Sequence, residues 1–276
     1  MQKRFNLKHF RHLKIIQIMN ERNFNFLTNQ LKYTGFGEGL QTDLKVQILK
    51  DKPEFTLSHQ TRFGRDQMQS ELYFKRSSQS DLYFFNRFTS TLNKQDQNHR
   101  ISHIFYNNKQ TGNITLKEAY NLLDGRAVNK DLLSQEGKLY VAWLQLDFKQ
   151  TTPNGNYKMD HFNQRYGFEM EKAVSALPIK ELSNQLERSR LFASLQKGNR
   201  QAVHFLENGR EHRFFIEVNP RFKAVIVFDE NENRVFRGQQ MKNEQASGLK
   251  ENIQIKSDKI PEINIPKPGN RKGLSM

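Results

Sequence analysis

The chain has 276 residues, with 44 Lys and Arg against 29 Asp and Glu, a formal net charge of +15 and no cysteine. The lack of cysteine excludes disulfides, thiolate metal sites and a cysteine nucleophile, and it suits a reducing, cytoplasmic setting. Mean hydropathy is −0.84, below that of a wholly packed chain, and no apolar run approaches the roughly 20 residues that cross a bilayer.

The charge is uneven. Residues 1–18 hold five Lys/Arg and no acid, and residues 237–276 hold eight against four, so nine of the fifteen net charges lie on two end segments. The first reads as a basic extension, with Met19 as a natural start. The second, rich in Gln, Asn, Lys and Ser with Pro261, Pro266 and Pro268, reads as a disordered basic tail. Arg271 and Lys272 near its end are candidate phosphate or partner contacts. The body, 19–236, retains only +6, which an ordinary mixed-charge surface accommodates.

Within the body, Phe24, Leu27 and Leu31 predict a short helix closed by Gly35, and Leu40, Leu44 and Ile48 predict a second that stops before Pro53. The glycines between them lack the Gly-Lys-Ser/Thr ending of a P-loop and follow no strand, so they predict a joint between helices. Phe55, Leu57, His59, Thr61 and Phe63 then alternate with polar residues, as in a half-buried strand. Leu72 and Phe74 mark a second strand. Leu82, Phe84 and Phe88 opposed to Tyr83 and Phe85 mark a third, and Ile101–Tyr106 a fourth. Short turns between them predict an antiparallel meander. Its aromatics suit either core packing or base stacking, and half-buried sheets favour the first.

The clearest signals follow. Thr115 and Glu118 have capping-box spacing, Leu116, Ala119, Tyr120 and Leu123 share one helical face, and Asp124-Gly125 ends the helix. After a polar loop, the run from Leu139 to Phe148 is apolar on both faces for half its length, which predicts a strand in a sheet interior. Thr151–Asn156 reads as a turn and Phe168–Ala176 as a short helix. Pro178 is expected to open a longer helix through Leu195 that ends at Gly198. Three strands follow at 201–206, 211–218 and 222–228, the first pair joined by the hairpin signal Asn208-Gly209, with a short strand at 234–236. The fold class expected is α+β: two helix-plus-antiparallel-meander units packed together, at 19–108 and 109–236, with two sheets and disordered basic termini.

Stretches within Ile114–Val235, among them ITLKEAYNLLDGRAVNKDL (114–132), AWLQLDF (142–148) and FIEVNPRFKAVIVFD (215–229), resemble a bacterial domain family of unknown function. That family occurs in proteins encoded by conjugative transposons and related mobile elements. MNERNFNFLTNQLKYTGFGEGL (19–40) is similar to the usual beginning of such proteins, so the resemblance spans about 19–236. It implies genomic company with DNA-transfer machinery and no established activity, catalytic residue or cofactor.

Catalytic signatures are missing from the sequence: no HExxH, no GxSxG and no kinase motif set occurs. His99 and His103 have helical metal-ligand spacing on a stretch that reads as loop into strand. His204 and His212 flank the hairpin, with Glu217 nearby, and are weighed as a zinc pair against ordinary solvent-facing strand histidines. Two loop groups mix glycine with cations and amides after a helix: Arg126, Asn129 and Lys130, and Lys197, Asn199 and Arg200. They either contact phosphate or a carboxylate partner, or sit at negative helix ends beside capping glycines. The functional expectation is a non-catalytic accessory protein of a mobile element, requiring no cofactor, that binds nucleic acid or a nucleoprotein complex. The alternative is a protein-interaction adaptor for DNA-transfer machinery. The partners expected are thus DNA or a DNA-processing protein, not a membrane.

Overall fold

A computed structural model describes residues 21–95, 100–107 and 111–237. The basic extension, the tail with Arg271 and Lys272, and His99 lie outside the described residues. Helix α1 covers 21–33 and buries Leu27 and Leu31. Gly35, with φ 90, turns the chain out of it. That turn needs glycine, since a Cβ disfavours positive φ. Helix α2 (Gln41–Leu49) buries Leu44 and Ile48.

Four antiparallel strands follow in sequential order: β1 (Glu54–Phe63), β2 (Asp66–Arg76), β3 (Tyr83–Asn93) and β4 (Arg100–Tyr106). The alternation expected for β1 holds, but that for β3 does not. Tyr73 pairs with Arg87 while its neighbour Phe74 pairs with Phe85. Asn86 is thus the extra residue of a bulge. A bulge shifts the two-residue period by one, so Tyr83, Phe85 and Phe88 are all buried together.

Helix α3 (Leu116–Leu123) carries the expected capping box: Glu118 N donates to Thr115 Oγ1 at 3.3 Å, and Thr115 N to Glu118 Oε2 at 2.9 Å. The second sheet runs β5 (Val128–Leu133), β6 (Leu139–Thr151) and β7 (Tyr157–Asn163), antiparallel, with β6 central as its two-faced burial predicts. Neither flanking strand is anticipated by the sequence: the stretch of β5 reads as polar loop, and that of β7 is assigned no element. Both are edges, and edge strands tolerate the polar residues that fill VNKDLL and YKMDHFN. The chain therefore forms three sheets rather than two.

Helix α4 (Met170–Ser175) is followed by a correction to the expected long helix. Ile179 is extended and bridges to Phe205, a 3-10 turn spans Lys180–Ser183, and helix α5 (Gln185–Gln196) begins only after Asn184. The Asn184 side chain accepts from Leu186 N at 2.9 Å and Glu187 N at 3.2 Å. A capping asparagine, not Pro178, starts the helix. The third sheet has the order β11-β10-β9-β8, with β8 (Gln201–Glu207), β9 (Arg210–Asn219), β10 (Ala224–Phe228) and β11 (Arg234–Arg237). Asn208 and Gly209 both have positive φ, 51 and 76, as the two-residue hairpin turn requires.

All described residues fall in one compact unit. One continuous cluster of buried side chains runs from Leu27 to Leu146, so the core is not interrupted at residue 109. Helix α3 and the inner face of β6 close over the first sheet. Across that sheet lies a polar row: His59 pairs with Ser70, Ser70 with Ser90, and Ser90 with His103. The two serine hydroxyls meet at 2.7 Å, whereas Nδ1 of each histidine is buried with no hydrogen-bond partner. Burial lowers the pKa of His59 and brings that of His103 to about 4.

Because both folded-state values lie below the ordinary 6.5, the unfolded chain takes up protons first on acidification. The stabilisation is complete above pH 6.5 and is lost as pH falls toward 4, with His103 contributing about 3 kcal/mol. Urea unfolding followed between pH 7.5 and 4.5 should show this loss. His103→Phe should remove most of the pH dependence carried by this site.

Candidate functional site

The two loop groups singled out by the sequence meet in space. Asn121, buried on α3, donates its Nδ2 to Lys197 O at 2.6 Å and to Asn199 Oδ1 at 2.9 Å. Asn199 in turn donates to Ser194 Oγ at 3.0 Å. A Cβ built on Gly198 would lie 2.5 Å from Ala127 O, so the second loop rests directly on the backbone of the first.

Most of their charge is consumed internally. Arg126 is buried, pairs with Asp124 at 3.0 Å, and stands 5.0 Å above the Tyr120 ring. Lys130 pairs with the capping-box carboxylate Glu118 at 3.1 Å. Arg200 holds Glu217 at 3.2 Å and Glu232 at 3.1 Å. Asn129 is a half-buried ladder residue of β5 opposite Trp143. Of the four cations in the two groups, only Lys197 is exposed and without an ion pair among the described residues. Beside them, the Lys117 amine lies 4.4 Å from the Phe63 ring centroid and 4.5 Å from that of Tyr120. Burial, with Arg126 adding repulsion, pulls its pKa down to about 8.

A different basic surface remains open on the third sheet. Ala202, Phe215, Phe228 and Arg234 form one cross-strand row. Two residues along β9 on the same face lie Arg213 and Glu217, since side chains two apart share a face. The guanidinium of Arg200 lies 4.0 Å from the Phe228 centroid, that of Arg234 lies 6.0 Å from it, and that of Arg213 lies 5.2 Å from Phe215. All are within cation–π range. The acids that touch this face are already engaged: Glu217 and Glu232 by Arg200, Glu211 by Lys180, and Glu181 by His204. Arg213 and Arg234 are exposed and have no acidic partner among the described residues. Sequence reasoning passed over them. The available signal was the alternation Arg213, Phe215, Glu217 along one strand, which places cation, ring and carboxylate on one side.

The hairpin does not bring its two histidines together: His204 pairs with Arg213 and His212 with Phe205, which places them on opposite faces of the sheet. His204 Nδ1 is 2.8 Å from Glu181 Oε1, and Glu217 belongs to Arg200. Among the described residues no group of three or more His, Asp or Glu can hold a metal ion, and no helix is long and apolar enough to cross a membrane. His103, by contrast, lines an open cleft of about 610 Å³ between β4 and the β6–β7 hairpin, together with His161. No family model, curated protein or solved structure matches the chain.

The contact between the two loops gives a sharp test. Gly198→Ala combines φ +77 with a clash against fixed backbone and should cost about 3 kcal/mol in chemical denaturation. Gly209→Ala, with similar φ but open space around it, should cost only about 1 kcal/mol.

Proposed function

We propose that the protein is a non-catalytic accessory factor of a mobile element that binds nucleic acid through the arginine–phenylalanine face of β8–β11. The observation that carries this reading is the pair Arg213 and Arg234, exposed over aromatic rings, with Glu217 and Glu232 already held by Arg200. A guanidinium placed over a ring keeps its charge and its donors for phosphate, and the ring limits the side-chain entropy lost on binding. The net charge of +15 supplies the long-range attraction. The company of DNA-transfer machinery rests on the resemblance over 19–236 alone.

Phosphate neutralisation releases counterions, so affinity should fall linearly with the logarithm of salt concentration. Titration of the full chain against labelled single- and double-stranded DNA over a salt series tests this. With Arg213→Ala and Arg234→Ala combined, binding to duplex should weaken evenly across sequences, with a slope shallower by about two. If that double variant binds as the parent does while Arg271→Ala with Lys272→Ala abolishes binding, the tail and not the sheet is the contact. If the parent chain binds no DNA, the adaptor reading replaces this one. Its support is Leu139 and Val141, which are 68% and 50% exposed on β6 and offer an apolar contact.

A further inference from the structure

The edge strands of the three sheets are protected to very different degrees. The edge of β4 is taken up by the Asn156 amide, which accepts from Ile104 N at 3.0 Å and donates to Ile104 O at 3.2 Å. The edge of β8 is covered by the segment before α5. There Leu206 N donates to Pro178 O at 2.8 Å, Ile179 bridges to Phe205, and the Glu181 carboxylate accepts from His204 N at 3.1 Å. Strand β11 has only four residues. Strand β1, by contrast, has ten, and its register with β2 runs unbroken from Glu54 opposite Lys75 to Phe63 opposite Asp66. It carries none of the devices that commonly blunt an edge: no proline, no lysine and no bulge.

The hairpin fixes which main-chain groups of β1 are free. Gly64 and Arg65 form a two-residue turn with Gly64 at φ 59, so the closing pair Phe63 and Asp66 exchanges both hydrogen bonds. At the far end Arg76 N donates to Pro53 O at 2.8 Å. Odd-numbered residues from Pro53 to Phe63 therefore direct their main-chain groups at β2, and even-numbered ones direct theirs outward. The outward groups of Glu54, Thr56, Ser58, Gln60 and Arg62 meet no other strand among the described residues. All five side chains are exposed, and on the opposite face His59, Thr61 and Phe63 are only half-buried, so the helices do not close over that end of the strand.

We infer that the protein self-associates through β1: two copies pair antiparallel about a two-fold axis at Ser58, joining their first sheets edge to edge. Only outward-directed residues can bond to one another, which restricts the register to even-numbered residues against even-numbered ones. The register centred on Ser58 matches every position of the outer face. Glu54 stands opposite the partner's Arg62, Thr56 opposite the partner's Gln60, and Ser58 opposite its own copy, so the end charges attract twice per dimer. Centring on Leu57 or on His59 instead sets Glu54 against glutamine or Arg62 against threonine and leaves the other charge beyond the strand. On the inner face, the partner's Leu57 and Phe55 come to stand opposite His59 and Thr61 and add apolar contact. The assembly closes at two, because each copy spends β1 and the outer edges of the joined sheet are β4 strands held by Asn156.

Sedimentation equilibrium of the full chain, free of nucleic acid, tests the inference, and the arginine face plays no part in its outcome. The chain should populate a species of twice 32.7 kDa in a concentration-dependent equilibrium. Glu54→Lys and Arg62→Glu should each weaken association about tenfold, since each sets like charges opposite one another. The double variant should return to the parent's affinity. That rescue has no explanation within one chain, where the two residues stand about 27 Å apart along the strand. Ser58→Pro removes the N–H at the axis, a change that an edge strand tolerates where the N–H faces outward. It should abolish association and leave the circular dichroism unchanged; should it misfold, the charge reversals decide. Because the chain has no cysteine, Ser58→Cys with an added oxidant should give a covalent dimer, as directly opposed residues lie about 5.5 Å apart at Cα. Gln60→Cys should not. A parent chain that sediments as a monomer at every concentration, or a dimer untouched by both charge reversals, overturns the inference.

Discussion

Helix α3 is buried along nearly its whole length, and that burial constrains everything around it. Seven of its eight residues, including Glu118 and Asn121, are shielded from solvent. A buried polar group seeks a partner inside the protein, so the polar side chains on this helix become ties to other elements, with Asn121 Oδ1 alone of their atoms left without a partner. Leu116 N donates to Thr34 O at 2.8 Å and fixes the end of α1. Glu118 closes the capping box and binds Lys130 on β5. Tyr120 donates to Asp66 Oδ2 at 3.1 Å, at the hairpin of the first sheet. Asn121 seizes the loop after α5. One short helix thereby positions elements of the first and second sheets and the approach to the third.

The same constraint explains why the two loop groups make a poor site. The first loop follows the buried helix α3 and the second is tied to it through Asn121, so both lie near the interior, where an unpaired charge is expensive. Arg126, Lys130 and Arg200 are therefore held by Asp124, Glu118, Glu217 and Glu232. Their sequence pattern, glycine beside cation and amide, fits a phosphate loop and a helix terminus equally well. Only the third dimension shows where the carboxylates stand. Arg213 and Arg234 present the opposite case: strand positions whose neighbours on the face are rings, and whose potential partners are spoken for.

What the sequence made legible follows from how local each signal is. The capping box at Thr115, the Asn208-Gly209 turn, the α1–α2 pair and the first meander each depend on residues within a few positions of one another, and each is found. Strand β6 was legible because it is apolar on both faces. Its neighbours β5 and β7 were not, because their pairing is decided by β6 and not by their own composition. The bulge at Asn86 likewise has no composition of its own, yet it reverses which aromatics of β3 reach the core. The histidine–serine row is a matter of register across four strands, 44 positions from His59 to His103, and no local window contains it.

That row also joins the core to the surface. Ser70 and Ser90 are enclosed in the first sheet, His59 is half-buried at one end of the row, and His103 alone of the four lines the cleft. A sheet edge normally invites a second chain to pair with it. Here the Asn156 amide takes the N–H and C=O of Ile104, so the edge of β4 is blocked at the point where His103 approaches the cleft. Blocking by a side chain rather than a strand has a consequence for shape. An amide spans one residue, where a paired strand would cover several, so the space on either side of Asn156 stays unfilled. The cleft is thus the geometric remainder of two sheets that approach edge to edge without joining. His103, which borders it, belongs to a wholly polar row on the inner face of the first sheet. The register that carries His59, Ser70, Ser90 and His103 across the sheet in line is what brings an imidazole to that place.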